Sequence, residues 1–223
     1  MLRATHSRWE DVAVRMSRTL VCVAVASCGG ASTTDDVGST EVLPGGEDRP
    51  STTTTVVDAD TASFADRMNA IDEAVAVWRS APSVEVAQEA AEAAANLIVG
   101  PNGPGYGDRN GDGVVAGEAA AGVLPGLDGT PEGLAIPLAA NGCIRRDVLG
   151  GPWTDPGAEW GAMLVAIDAW RPDNNTMPTL ASHPMRVVGW ATFTLGSGSL
   201  DEAHEYAGHA KLHVDISVRA LSC

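Results

Sequence analysis

Five large apolar residues, Phe64, Met68, Ile71, Val75 and Trp78, recur at spacings of four, three, four and three. A chain with this pattern can bury all five along one stripe of an α-helix. A strand, whose faces alternate with every residue, would split them between two sides. Pro82 ends the segment, and Ser83 supplies an N-cap for a second helix running to about Val99, where Gly100 and Pro101 stop it. The second helix, "AQEAAEAAANLI", is mostly alanine, so a neighbouring element can approach it closely. The two segments predict a helical hairpin.

The same signals continue toward the C-terminus. "IPLAANGCIRRDVL" reads as a weaker helical segment. Asp155 before Pro156 places a capping carboxylate ahead of proline at the first helical position, and Trp160, Leu164, Ile167 and Trp170 form the stripe that follows. Pro172 to Pro184 reads as a loop, and Pro184 opens a helix to about Leu195. After the turn "LGSGS", Ser199 and Glu202 fit the S-x-x-E capping box of a last helix, with the buried stripe Leu200, Ala203, Ala207, Ala210, Val214, Val218 and Leu221. No stretch sustains strand alternation. The expected fold is all-α, a bundle-like set of packed helical hairpins with one glycine-rich loop. "SVEVAQEAAEAA" from Ser83 and "SLDEAHEYAGHA" from Ser199 align without gaps, each after a tryptophan-bearing helix (Trp78, Trp190), which is a faint internal repeat.

The N-terminal part is different. Arg3, Arg8, Arg15 and Arg18 precede a short apolar run, "TLVCVAVA", far short of the ~20 residues that span a bilayer. This is the pattern of an export signal, residues 1–27. "VASC", Val25 to Cys28, resembles the lipobox of bacterial lipoproteins. That resemblance implies cleavage before Cys28, acylation of its thiol and amine, and a lipid anchor holding the exported chain at the cell surface or in the periplasm. The other reading is an ordinary secretory signal. Residues 28–61 are rich in Ser, Thr, Asp, Gly and Pro and bury too little apolar area to offset ordering entropy, so they read as a tether, with the helical domain at 62–223. The 29 acidic against 14 basic residues, a formal charge of −15, disfavour attraction to nucleic acid. In an exported chain Cys22 leaves with the leader and Cys28 is lipidated. Cys143 and Cys223 remain as a pair, expected to form a disulfide rather than two buried thiols.

"YGDRNGDGVVAGE", Tyr106 to Glu118, concentrates carboxylates and glycines. Calcium takes six to eight hard oxygens, which EF-hand loops supply at alternate positions with glycine at the sixth. With Asp108 as position one, Asn110 is three, Asp112 five and Gly113 six, and Val114 offers its carbonyl at seven. The segment resembles the calcium loops of EF-hands and dockerins. The resemblance stops at position twelve, where Ala119 replaces the bidentate Glu; Glu118, one place early, is expected to complete the shell if the exit turn is tighter. The alternative is a glycine-rich turn held by Asx hydrogen bonds. The wider stretch Asn96 to Gly126 is similar to a module of uncharacterised Ala-rich helical proteins exported by bacteria, a likeness that brings no activity with it.

"DEAHEYAGHAKLH" lacks the H-E-x-x-H zinc spacing, but Glu202, Tyr206, His209 and His213 share one helix face. His209 and His213 at i,i+4 offer a second metal reading, zinc or copper, with Glu202 or His183 as third ligand. The simpler reading is a capping Glu202 and histidines on a solvated face. No nucleophile elbow, phosphate loop or dinucleotide fingerprint is present. Asp155 and Glu159 beside Trp153 and Trp160 are explained more simply as helix-start acids near core tryptophans than as glycosidase carboxylates. The sequence therefore predicts a non-enzymatic binding or structural module.

Overall fold

The computed structural model describes residues 59–171 and 180–223. The expected leader, the Cys28 anchor and the tether as far as residue 58 lie outside them, as does most of the loop expected after Pro172. Helix α1 (Ala59–Arg79) opens three residues ahead of the expected boundary at 62. It is followed by α2 (Val84–Val99), a π-helical turn (Ile144–Val148), α3 (Pro156–Ala169), α4 (His183–Gly196), α5 (Leu200–Arg219) and a terminal 3-10 turn (Ala220–Ser222). The described residues are all-α.

Two hairpins, α1–α2 and α4–α5, pack side by side. Helix α1 lies against α2 and α5, and α4 against the same two, so the four helices form a closed ring around the core. The predicted α1 stripe is buried entire: Phe64, Met68, Ile71, Val75 and Trp78. Each fully buried large side chain contributes about 2 kcal/mol by removal from water. Ala87, Ala91, Ala94 and Ile98 on α2 match Ala203, Ala207, Ala210 and Val214 on α5, all fully buried. The small side chains bring the two helices close to their neighbours at corresponding points. Ser83 and Ser199 cap their helices as expected, accepting from Val86 N and Glu202 N. The α5 stripe then departs from expectation. Ser217 is buried and Val218 is exposed, because the four-three rhythm set by Ala203, Ala207, Ala210 and Val214 falls next on 217.

Residues 100–155 wrap the ring with little regular structure. "IPLAANGCIRRDVL" yields only the short π-helical turn, not the expected helix: Asn141 Oδ1 takes the Cys143 N–H at 2.8 Å, and Leu149 N reaches back to Ile144 O. Arg67 on α1 donates to the carbonyls of Leu97 and Ala121, tying the wrap to the first hairpin. Trp160 on α3 is buried and donates to Pro125 O at 2.9 Å. Its neighbour in the expected stripe is Met163, with Leu164 at the edge. Cys143 and Cys223 are bonded, Cα to Cα 6.1 Å, linking the π-helical turn to the C-terminus.

Candidate functional site

The loop 106–118 lies over α2, and α2 is shaped to hold it. Gln88, Glu92 and Asn96 stand four residues apart and so form one polar ridge along an alanine-rich helix. Each member bonds backbone from another segment. Gln88 Nε2 donates to the carbonyls of Thr194, Leu195 and Ser197, closing the C-terminal end of α4. Glu92, fully buried, accepts from Arg109 N (2.6 Å) and Asn110 N (2.9 Å) on Oε2 and from Ala116 N (2.8 Å) on Oε1. Asn96, also buried, donates to Gly107 O and Ala116 O and accepts from Gly107 N. The loop can come this near because Gly117 has no side chain: a Cβ there would meet Ala93 O at 2.3 Å, and its φ of +75° also favours glycine.

Beneath the loop, burial pushes the Arg109 guanidinium down to about 10, with the Glu92 carboxylate opposing, so it stays charged at neutral pH. Arg109 Nη2 donates to Thr192 Oγ1 on α4. Glu92 thus has a cation close by and three charge-assisted bonds, the arrangement a buried carboxylate needs.

The outer side of the loop carries the expected calcium donors. Asp108 accepts from Gly111 N (2.7 Å) and Asp112 N (3.1 Å) on Oδ1 and from Gly113 N (2.9 Å) on Oδ2. Asn110 Oδ1 accepts from Asp112 N, Asn110 Nδ2 donates to Asp112 Oδ2 at 3.0 Å, and Asp112 Oδ1 accepts from Val114 N. Asp108, Asn110 and Asp112 are therefore brought together at an open tip. These bonds are those of the Asx-turn alternative, but a carboxylate has about four lone-pair sites, and Asp108 uses three. Glu118 is exposed, and among the described residues no three His, Cys, Asp or Glu side chains gather into one metal-holding group. So Glu118 does not join Asp108 and Asp112. A depression of about 270 Å³ beside the tip is lined by Glu85, Gln88 and Glu89 of α2 with Asn110 and Asp112, adding two carboxylates to the neighbourhood.

The histidine face is half-buried against α4, with Glu202 exposed at its start. His209 stacks on Trp190 at 4.4 Å, Tyr206 stacks on the same indole, and Trp170 meets it edge-on. Glu202 accepts from Ser197 Oγ at 2.6 Å, while that hydroxyl accepts from Ser199 N, so the capping box closes through a serine. Glu202 and His213 are eleven residues apart, about 16 Å along a helix, and cannot share an ion. The partner of His213 is His183, Nδ1 to Nδ1 at 3.0 Å. His204 donates from Nε2 to Ala81 O.

Burial pushes His213 down to about 3, with His183, Arg186 and His209 adding to the effect. Burial also lowers His183, helped by Arg186 and Arg146 and opposed by Asp147. The sign follows. Unfolded histidine binds its proton near pH 6.5, and the folded pair binds it only at lower pH. The fold therefore has full stability above pH 6.5 and loses it as pH falls from there toward 3. Because both rings are partly in contact with water, we expect about 2 kcal/mol of loss, well under the nominal shift. Urea midpoints at pH 7.5 and 4.5 should differ more for the wild type than for His213→Gln. Parallel curves would show that the pair is not acid-sensitive.

The remaining candidates have structural roles. Asp155 Oδ1 caps α3 at Ala158 N, and Trp153 donates to Leu149 O while meeting Trp160 edge-on at 5.5 Å. No family model, curated protein or solved structure matches the chain.

Proposed function

We propose that the chain is an exported, lipid-anchored helical module, non-enzymatic, in which calcium binds the outer tip of the loop 106–118. Asp108, Asn110 and Asp112 with the Val114 carbonyl would hold the ion, and water would fill the places that Glu118 does not. The observation that carries this reading is the convergence of three oxygen-bearing side chains at alternate positions on an exposed tip, at the edge of an acidic depression. Calcium favours hard oxygens and tolerates several waters, and it supplies the positive charge that two adjacent carboxylates lack. The ridge on α2 already fixes the inner side of the loop, so the ion would order only the tip, presenting it as a rigid surface to a partner.

Calcium at ten times its dissociation constant should stabilise the full chain by about 1.4 kcal/mol, a rise in melting temperature of about 4 °C. Asp112→Ala should abolish the rise and leave the helical signal intact. Melting that is indifferent to calcium and to chelator would reduce the tip to an Asx turn. Fatty-acid labelling that survives Cys28→Ser would remove the anchor from this reading.

A further inference from the structure

We propose that His183 and His213 form a second metal site, a two-imidazole clip for Cu2+ between the start of α4 and the middle of α5. The site is distinct from the calcium loop and from the His209–His213 arrangement that the sequence suggests.

Two nitrogens each 2.0–2.1 Å from one ion lie about 2.9 Å apart at a right angle and about 3.3 Å apart at the tetrahedral angle. The two Nδ1 atoms are 3.0 Å apart, with ring centroids at 5.1 Å and planes inclined by 42°. That spacing fits cis positions of a square-planar or tetragonal ion better than a tetrahedral one, and square-planar N,O geometry is the preference of Cu2+ and Ni2+. In the metal-free pair one ring holds its proton on Nδ1 and donates to the lone pair of the other. Moving that proton to Nε2 leaves a lone pair on each Nδ1, and rotation of both rings would aim the two at one point.

Electrostatics selects among ions. Arg186 and Arg146 act on His183, and Arg146 occupies Asp147 through both of its oxygens, at 2.6 and 2.7 Å. A cation held mainly by charge, such as calcium or magnesium, is disfavoured here. An ion held by nitrogen bonding is not, and affinity for such a site rises to its maximum at Cu2+. Both rings are also kept unprotonated by their burial, so little proton competition opposes the metal at neutral pH. Their backbones are fixed by the packing of α4 on α5, so the clip loses little freedom on binding. No third His, Cys, Asp or Glu completes a group at this point among the described residues, which leaves the other positions to water.

The test is a Cu2+ titration of the full chain in detergent at pH 7.5, read by electron paramagnetic resonance. We expect one equivalent bound, with hyperfine structure from two nitrogens. His183→Gln and His213→Gln should each weaken that signal's apparent affinity by about a hundredfold. His209→Gln should leave it unchanged. If His209→Gln removes the signal and His183→Gln does not, the ion sits on the α5 face and the proposal fails. Absence of a stoichiometric two-nitrogen spectrum from the wild-type chain overturns it without recourse to any variant.

Discussion

Replacing Glu92 with alanine is expected to destabilise the fold by about 4 kcal/mol, lowering the melting temperature by about 10 °C. Its carboxylate accepts three backbone N–H groups, from Arg109, Asn110 and Ala116, at 2.6 to 2.9 Å. Removing the acceptor strands three donors in a part of the protein where Gly117 presses against Ala93 O and admits little water. A stranded buried donor costs more than the bond it once made contributed. The Arg109 cation would also lose its nearest counter-charge. Glu92→Gln separates charge from shape. It keeps one acceptor oxygen, but its amide must face at least one of the same N–H groups, so about half the loss should remain. The local readout is amide exchange at Arg109, Asn110 and Ala116, which should accelerate together in both variants, well beyond the change elsewhere in α1 and α5. If Glu92→Gln melts with the wild type and those amides stay protected, the loop is held by Asn96 and by packing, not by the carboxylate.

Glu92 also marks where the sequence stops being legible. The four-three stripe of α1 and the alanine stripes of α2 and α5 are visible in the residues because helical burial repeats every 3.6 positions and needs only local order. Caps at Ser83, Asp155 and Ser199 are local as well, and they stand where expected. The role of Glu92 is not local. A glutamate among alanines reads as a solvated side chain unless one knows that a loop lies over it. A signal was nevertheless present: Gln88, Glu92 and Asn96, spaced four apart, make a polar line on a helix whose small side chains invite close approach. The calcium pattern concerns only the side chains on the outer side of the loop, while its inward backbone is bonded to α2. The histidines show the same limit. His209 and His213 share a face by spacing, but which helix covers that face depends on tertiary packing, and His183 comes from the other helix of the hairpin, thirty residues away in sequence. "IPLAANGCIRRDVL" has helical composition, but Asn141 takes the Cys143 N–H at the start of the π-helical turn, and the disulfide holds that same cysteine.

That disulfide sets the second large effect. Cys143→Ser with Cys223→Ser should lower stability by about 4 kcal/mol and the melting temperature by about 10 °C. The bridge spans 80 residues of sequence, enclosing α3, α4 and α5, so its removal frees a long loop in the unfolded chain. The folded state should change little, because the same junction has a non-covalent clasp. Asn141 Nδ2 donates to Ala220 O at 3.1 Å, and Asn141 Oδ1 accepts from Cys143 N, so one side chain already ties the π-helical turn to the end of α5. Two measurements follow from placing the effect in the unfolded state. Tryptophan fluorescence and helical signal at 25 °C should match those of the wild type. In denaturant the midpoint should fall while the slope of the transition steepens, since an unbridged chain exposes more surface on unfolding. Asn141→Ala alone should be mild in the bridged protein and more costly in the serine pair, because each tie covers for the other. If the serine pair keeps the wild-type midpoint, the bridge adds nothing to what Asn141 holds, and the C-terminal turn is anchored by that one amide.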